Sequence, residues 1–95
     1  MKIEYSRFVE DDLEAIAEYI ARDNPPRALT LLFEIYEEIK AIGRHPLHYR
    51  LRPELGPDAR MARVGRYVIL FAASEEGVKI ERIIHGARNL PALLH

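Results

Sequence analysis

The sequence predicts an α+β fold of two layers, in which an antiparallel helical hairpin packs on a small antiparallel β-sheet. Two stretches in the first half repeat apolar residues at helical spacing, and a short Asp-Asn-Pro-Pro segment separates them, so the helices must fold back on each other. The second half holds β-type runs joined by glycine-containing turns. A helical hairpin must bury its apolar side, and the apolar face of the sheet is the partner available.

The first half predicts a strand and two helices. Residues 2–6 alternate apolar and charged side chains, which is typical of a short strand. Ser6, or the acidic pair Asp11 and Asp12, supplies the chemistry that starts a helix. The apolar face of this first helix consists of Leu13, Ile16, Ala17 and Ile20. Residues 23–26 end it and start a second helix, which runs to Gly43 and whose apolar stripe consists of Ala28, Leu31, Leu32, Ile35, Ile39 and Ile42.

The second half predicts a loop, a three-stranded meander and a last helical turn. Residues 44–59 hold three of the six prolines and indicate an irregular basic loop, with a brief strand at 48–51. Residues 60–64, 66–73 and 78–85 predict strands, with turns at Gly65 and at 76–77. Residues 89–94 predict a short C-terminal helical turn. Ninety-five residues are the length of one domain, which we expect to span 1–95.

Composition narrows the function classes. No stretch approaches the roughly 20 apolar residues of a membrane span, so no membrane partner is expected. The N-terminus lacks the long apolar region of a signal peptide, and the absence of cysteine suits a reducing compartment, so we expect a cytoplasmic protein. The sequence holds no motif for a cofactor, and none is expected.

The net charge of −1 hides an asymmetry between the two halves of the chain. The first 43 residues carry ten acidic residues against five lysines and arginines, whereas residues 44–95 carry nine lysines and arginines against five acidic residues. Eleven of the fourteen basic residues are arginine, and six of these lie between Arg44 and Arg66. Guanidinium forks onto two acceptors at once, so this clustering favours directed recognition of an anionic partner.

Several segments together carry a family resemblance. They are DDLEAIAEYIARDNPPRA near the start, AIGRHP at the end of the second helix, RMARVGRYVILF, and IERIIHGARNLPALL at the end. In this order and at these spacings they cover nearly the whole chain. The chain resembles the ParE branch of the ParE/RelE toxins of bacterial toxin–antitoxin systems.

The resemblance implies a toxin that is neutralised by a cognate antitoxin, whose C-terminal segment wraps the toxin in a hetero-oligomer. A helix in a groove and an added strand are both available to such a segment, given the amphipathic hairpin and an open sheet edge. ParE-like members inhibit DNA gyrase, whereas RelE-like members share the fold and cut messenger RNA on the ribosome. Direct sequence-specific DNA binding is not expected. A third alternative is a non-toxic module that only binds the antitoxin.

The nuclease alternative depends on Arg63, His85 and Arg88. By resemblance, Arg63 lies at the strand arginine of RelE-like nucleases and Arg88 at their late arginine. The chain departs from the nuclease pattern, because it has no lysine between Lys40 and Lys79 and no tyrosine after Tyr67. Arginine does not release its proton near neutrality, so a histidine would have to move the proton. His85 is the candidate in the tail, and the alternative is that it only hydrogen-bonds backbone at a strand end.

Contacts to a target or an antitoxin are expected from arginines of the loop and turn and from the apolar tail. The candidates are Arg50, Arg52, Arg60, Arg63, Arg66, Arg88, Leu90, Leu93 and Leu94. The loop arginines could instead lie over Leu47, Leu51 and Leu55, and the tail could instead cap the core. Pro46 separates His45 from His48 and excludes a helical ligand pair, so no metal site is expected.

Overall fold

The protein, described for residues 2–93 by a computed structural model, consists of a four-stranded sheet with two long helices on one face. In chain order the elements are β1 (Ile3–Tyr5), α1 (Val9–Ala21), α2 (Pro25–Arg44), β2 (Ala59–Val64), β3 (Tyr67–Ser74), β4 (Gly77–His85) and α3 (Gly86–Leu93). The predicted α+β fold, with a helical hairpin on a small sheet, is confirmed.

The strand order is β1-β4-β3-β2, so β1 and β2 are the edge strands of this sheet. β2, β3 and β4 form an antiparallel meander, whereas β1 pairs with β4 in parallel. The predicted antiparallel meander is confirmed, and β1, for which the sequence assigned no partner, adds to it in parallel. The helical hairpin follows β1 and the meander returns to it, so the chain crosses over before β4 lies beside β1 in the same direction.

Two turns and one bulge set the register of the meander. Gly65 has a φ of 58°, which suits the tight turn between β2 and β3. Arg66 shares this turn, so β3 begins one residue later than predicted. Leu70 pairs with Arg82 and Phe71 with Ile80, which leaves Glu81 as the extra residue of a bulge.

The core lies on both sides of β3, where four consecutive residues from Val68 to Phe71 are buried. On the helical side, Ile69 and Phe71 pack with the stripes of α1 and α2, including Ile16 and Ile35. The buried residues of these stripes confirm the predicted helical faces. On the other side a second cluster forms around three buried residues and three partly buried ones: Val68, Leu70, Ile84, Leu55, Met61 and Leu90.

Ser6, one of the two alternatives for the start of α1, contacts the backbone there, and Asn24, inside the predicted boundary at 23–26, caps α2. Ser6 Oγ accepts a hydrogen bond from the Phe8 N–H at 3.2 Å, just before α1 begins. Asp12 does not cap α1, because its carboxylate is turned toward β4. Asn24 Oδ1 accepts the Arg27 N–H at 3.1 Å and caps α2, whose first turn accommodates the two prolines.

The loop and the C-terminal helix correct two further predictions. Residues 48–51 form no strand; the loop has 3-10 turns at Pro46–His48 and Pro53–Leu55 and a single bridge between Leu51 and Arg60. α3 begins at Gly86, three residues earlier than the predicted turn, because His85 caps it as described below. Within residues 2–93, no helix has the length and apolar character needed to cross a bilayer.

Candidate functional site

The tip of the molecule is the place where β4 passes into α3 beside the β2–β3 turn. The Gly86 N–H donates to the Arg66 carbonyl at 2.9 Å and ties the two turns together. A Cβ on Gly86 would lie 3.5 Å from Arg63 Nη1 and 3.4 Å from a methyl of Val68. These are ordinary van der Waals distances, so the Arg63 guanidinium lies near Gly86 without requiring a glycine there.

His85 holds the first turn of α3. Its Nδ1 accepts the Arg88 N–H at 3.2 Å, so the imidazole satisfies a backbone donor that the start of a helix leaves open. An Nδ1 that accepts a hydrogen bond assigns the proton of the neutral ring to Nε2. The ring also packs edge-to-face on Tyr67, with ring centroids 5.4 Å apart. This is the arrangement in which His85 hydrogen-bonds backbone at a strand end.

Arg88 turns toward α1. Its guanidinium carbon lies 4.9 Å from the centroid of the Tyr19 ring, and Nη2 donates to the Tyr19 hydroxyl at 3.3 Å. Arg88 and His85 line the same groove of about 280 Å³ between α1 and the end of β4. The cation–π contact with Tyr19 holds the guanidinium beside this groove.

The structure brings together only two of the three residues of the nuclease hypothesis. His85 pairs with Tyr67, which belongs to the core on the helical side of the sheet. Arg63 pairs with Val68, which belongs to the cluster on the other side. Residues directly opposite each other on neighbouring strands point to the same face, so Arg63 and His85 emerge on opposite faces of the sheet.

Asp12 and Arg82 form a contact that sequence analysis missed. The Asp12 carboxylate accepts from Arg82 Nε at 2.8 Å and from Nη2 at 2.9 Å, and it also accepts the Ile83 N–H at 3.0 Å. The hydrogen bond to Asp12 raises the pKa of Arg82. β1 pairs only with residues 78–80 of β4, so Asp12 closes part of the strand edge that β1 leaves open. About 70 residues separate the partners, and no local signal links them.

The Phe8 ring extends this contact. Its centroid lies 4.8 Å from the guanidinium carbon of Arg7 and 5.2 Å from that of Arg82, so two cations flank one aromatic ring. Phe8 precedes α1, and the stacking fixes the start of this helix against β4. The surface from Phe8 to Arg88 therefore alternates arginines with aromatic rings along the α1–β4 groove.

Two of the loop arginines, Arg52 and Arg60, contact other residues of the chain, whereas Arg50 is exposed to solvent. Arg60 Nη1 donates to the Tyr49 carbonyl, which ties the loop to β2. Arg52 Nε lies 3.1 Å from a Glu54 oxygen, and Arg52 also contacts the Met61 sulfur. A hydrogen bond with its own backbone and the one from Arg52 lower the pKa of Glu54. Arg50 is exposed, so it is the loop arginine best placed to reach a partner.

Tyr49 fixes the loop to α2. Its hydroxyl donates to Glu38 Oε2 at 2.9 Å, and its ring packs edge-to-face on Phe71. Burial, followed by the hydrogen bond to Glu38, raises the pKa of Tyr49 to about 12. Leu47 and Leu51 remain exposed, whereas Leu55 packs on the cluster of the outer sheet face. Of the three leucines that the loop arginines could have covered, only Leu55 is partly buried, and it packs against the sheet.

The apolar tail is partly accounted for. Leu90 packs on the cluster of Val68, Leu70 and Ile84, which is the arrangement of a residue that caps the core. The expectations for the Leu93 side chain and for Leu94 lie outside the described residues. Leu90 thus contributes to the fold of α3, whatever else the tail contacts.

The two histidines of the loop stack on each other. The His45 and His48 rings are 4.8 Å apart and nearly parallel, and they line an open cavity of about 520 Å³ with Arg44 and Glu75. In the part of the chain that the structure describes, no three His, Cys, Asp or Glu side chains are grouped as metal ligands.

This architecture is also found in a solved structure. The fold is similar to that of the solved structure "Chromosomal ParDE TA system from P. aeruginosa", with a TM-score of 0.77 and 23% sequence identity. The match covers 90% of this chain and 95% of that chain, and at this identity it establishes a shared fold. No curated protein sequence matches the chain.

The helical hairpin, the meander and the short C-terminal helix thus define a protein with the fold of the ParDE structure. The family model described as the ParE toxin of type II toxin-antitoxin system, parDE, matches residues 3–90. The chain belongs to the ParE toxin family.

Proposed function

We propose that this chain is the toxin of a type II pair, that a cognate antitoxin neutralises it in the cytoplasm, and that it acts by binding and inhibiting DNA gyrase. Membership of the ParE family over residues 3–90 is the observation that carries the proposal. The choice of DNA gyrase as the target rests on the resemblance of the sequence to ParE-like toxins, and the supercoiling assay described below tests it.

The geometry of the tip supports a binding role for its arginines. Arg63 and Arg66 are exposed at the β2–β3 turn, and the Gly86 N–H, which donates to the Arg66 carbonyl, ties this turn to the base of α3. Arg88 lies on the α1 side of the same junction. Guanidinium groups held at a rigid turn can each grip a carboxylate or phosphate through two hydrogen bonds, so this tip is our candidate for the surface that contacts the target.

The rival function is metal-independent cleavage of messenger RNA. It is favoured by one observation, namely that His85 lies beside Arg88 in a groove where a substrate phosphate could be gripped. Against it stand two others. His85 Nδ1 is engaged by the Arg88 N–H, and Arg63 emerges on the opposite face of the sheet. A nuclease would have to bring all three groups to one phosphate.

Controlled expression in a bacterial host discriminates between these functions. We expect the wild-type chain to arrest growth, and co-expression of the protein encoded beside it to restore growth. We expect the His85→Asn variant to arrest growth as well, because asparagine retains the capping ability of His85 but cannot move a proton. If the wild-type chain arrests growth and messenger RNA is cleaved, and the folded His85→Asn variant does neither, the chain is the nuclease instead. If the host keeps growing while it expresses the wild-type chain, the chain is not toxic, and the remaining alternative is a module that only binds the antitoxin.

A further inference from the structure

The outer side of α2 carries a second row of apolar residues that the sequence analysis did not single out. Leu29, Phe33 and Tyr36 are 71%, 64% and 59% exposed, although they are large. Their spacing of four and three residues places them on one side of the helix, away from the buried stripe. We call these three residues the α2 row. Three large apolar side chains in one row form a surface that is suited to contact with another helix.

The charges of α2 permit a second copy of the chain to lie against this row. Residues 25–44 carry three basic and three acidic side chains, so the helix is balanced. Residues 9–21, which form α1, carry five acidic side chains and no basic one. Two copies that met through α1 would repel each other, whereas two copies that met through α2 would not. The face that carries the α2 row is therefore compatible with contact between identical chains.

The order of the charges along α2 favours an antiparallel pair. Arg27 lies near the start of the helix, whereas Glu34, Glu37 and Glu38 lie past its middle. Antiparallel pairing about Phe33 brings Arg27 of one copy near Glu37 of the other, and both side chains are nearly half exposed. A parallel pair would instead place each charge beside its own counterpart. Antiparallel helices also bring the opposite ends of their dipoles together.

We propose that two copies of this chain associate through the α2 row, with their α2 helices antiparallel and crossing at Phe33. The two Phe33 rings meet at the two-fold axis. Leu29 of each copy packs against Tyr36 of the other, because these residues lie on either side of Phe33 at nearly equal distances along the helix. Such an interface uses the same patch on both copies and closes as a dimer. It does not depend on the proposed function.

The size of the α2 row sets the strength of the association. Two largely exposed aromatic rings and a leucine offer roughly 400 Å² of apolar surface per copy, since a buried aromatic side chain covers about 150–250 Å². With the flanking residues, the two copies would bury about 1,000 Å² in total, which is typical of weak and transient interfaces. We therefore expect a dissociation constant on the order of tens of micromolar.

Sedimentation velocity of the full-length chain, freed from any co-expressed protein and measured on both sides of this concentration, tests the proposal. We expect the wild type to pass from monomer to dimer, and Phe33→Ala to weaken the dimer by about tenfold or more, because the centre of the interface loses both rings. The matched control is Leu47→Ala, since Leu47 is 71% exposed, as Leu29 is, but lies in the loop. This control should dimerise as the wild type does. Phe33 is exposed, so its variant should retain the helical circular dichroism of the wild type.

Single-cysteine variants test the orientation of the helices, because the chain has no cysteine of its own. Under mild oxidation, a mixture of Leu29→Cys and Tyr36→Cys should form a disulfide-linked dimer. Leu29→Cys alone should not, since in the antiparallel pair its two copies are about 12 Å apart along the helix axis, whereas a disulfide requires Cβ atoms about 4 Å apart. A parallel pair would give the reverse pattern, with Leu29→Cys linked to itself.

Three results would overturn the proposal. A wild type that stays monomeric over the whole concentration range would remove the second copy as the occupant of the α2 row. If Phe33→Ala then weakened binding of the protein encoded beside this chain, the row would belong to that partner. A dimer of equal strength in Phe33→Ala, or one in which the mixed cysteine variants do not link, would assign the association to another surface. Growth arrest tests the proposed function separately, because a toxic chain can be monomeric and a harmless one can dimerise.

Discussion

Replacing Asp12 by alanine tests how the fold closes the open part of β4. The substitution removes a carboxylate that accepts two hydrogen bonds from Arg82 and one from the Ile83 N–H. The Asp12 side chain is only 12% exposed, whereas that of Arg82 is 37% exposed. The ion pair is therefore partly screened by solvent, and the backbone contact is the better protected of the two.

The expected cost follows from these contacts. A partly exposed ion pair contributes up to about 1 kcal/mol, and a hydrogen bond to a charged group contributes about 1.5–3 kcal/mol. We therefore expect Asp12→Ala to lower the free energy of unfolding by about 2–3 kcal/mol. In a domain of this size that corresponds to a drop in Tm of roughly 10–20 °C. Asp12→Asn keeps an oxygen for the Ile83 N–H, so its cost should be smaller, about 1 kcal/mol.

Urea unfolding followed by far-ultraviolet circular dichroism measures the effect, since the chain has no tryptophan. Asp11→Ala is the matched control, because Asp11 is exposed one residue earlier in the same helical turn. It removes the same charge from the start of α1 without touching β4. A loss of stability in Asp12→Ala no larger than that in Asp11→Ala would refute the role assigned to Asp12.

Three further predictions concern His85, Tyr49 and Gly77. His85→Ala should destabilise α3 by about 1 kcal/mol while His85→Asn retains most of the cap, as measured by hydrogen exchange of the Arg88 amide; equal protection in both variants would contradict the cap. The pKa of Tyr49 is raised from its ordinary value of 10.0 to about 12 in the folded state, so the wild type should lose stability between pH 10 and 12, and Tyr49→Phe should lose less over the same range in urea titrations. Gly77→Ala should cost more than 2 kcal/mol, roughly the strain of its backbone plus a lost strand contact, because its Cβ would lie 2.5 Å from the Lys2 carbonyl. Gly65→Ala, with no heavy atom within 4 Å of its Cβ, should cost only about 1 kcal/mol of backbone strain, and equal thermal shifts in the two glycine variants would be the contrary result.

Local patterns were sufficient to predict most of the fold. The buried face of α2 has the spacing that the sequence showed, and the turn at Gly65 lies where a glycine follows a β-type run. Periodicity works here because one side of α2 packs against the sheet along its length. The parallel pairing of β1 was not predictable in this way, since it depends on where the chain returns after two helices.

The candidate site was less accessible to sequence analysis. Asp12 had the appearance of a helix-start residue, but Arg82 and the Ile83 N–H offered it more hydrogen bonds than the start of α1 could. His85 is not among the residue types that usually cap helices, so the early start of α3 carried no recognisable signal. The separation of Arg63 from His85 follows from strand register, which a shift of one residue would reverse.

Supercoiling of relaxed plasmid by DNA gyrase, in the presence of the folded chain freed from its antitoxin, tests the central proposal most directly. We expect inhibition at a toxin concentration close to that of gyrase, recovery when the antitoxin is added, and weaker inhibition by an Arg63→Ala, Arg66→Ala double variant. His85→Asn should inhibit as the wild type does. Full supercoiling with folded wild-type chain in excess over gyrase would contradict the proposal, and messenger RNA on the ribosome would then become the target to examine.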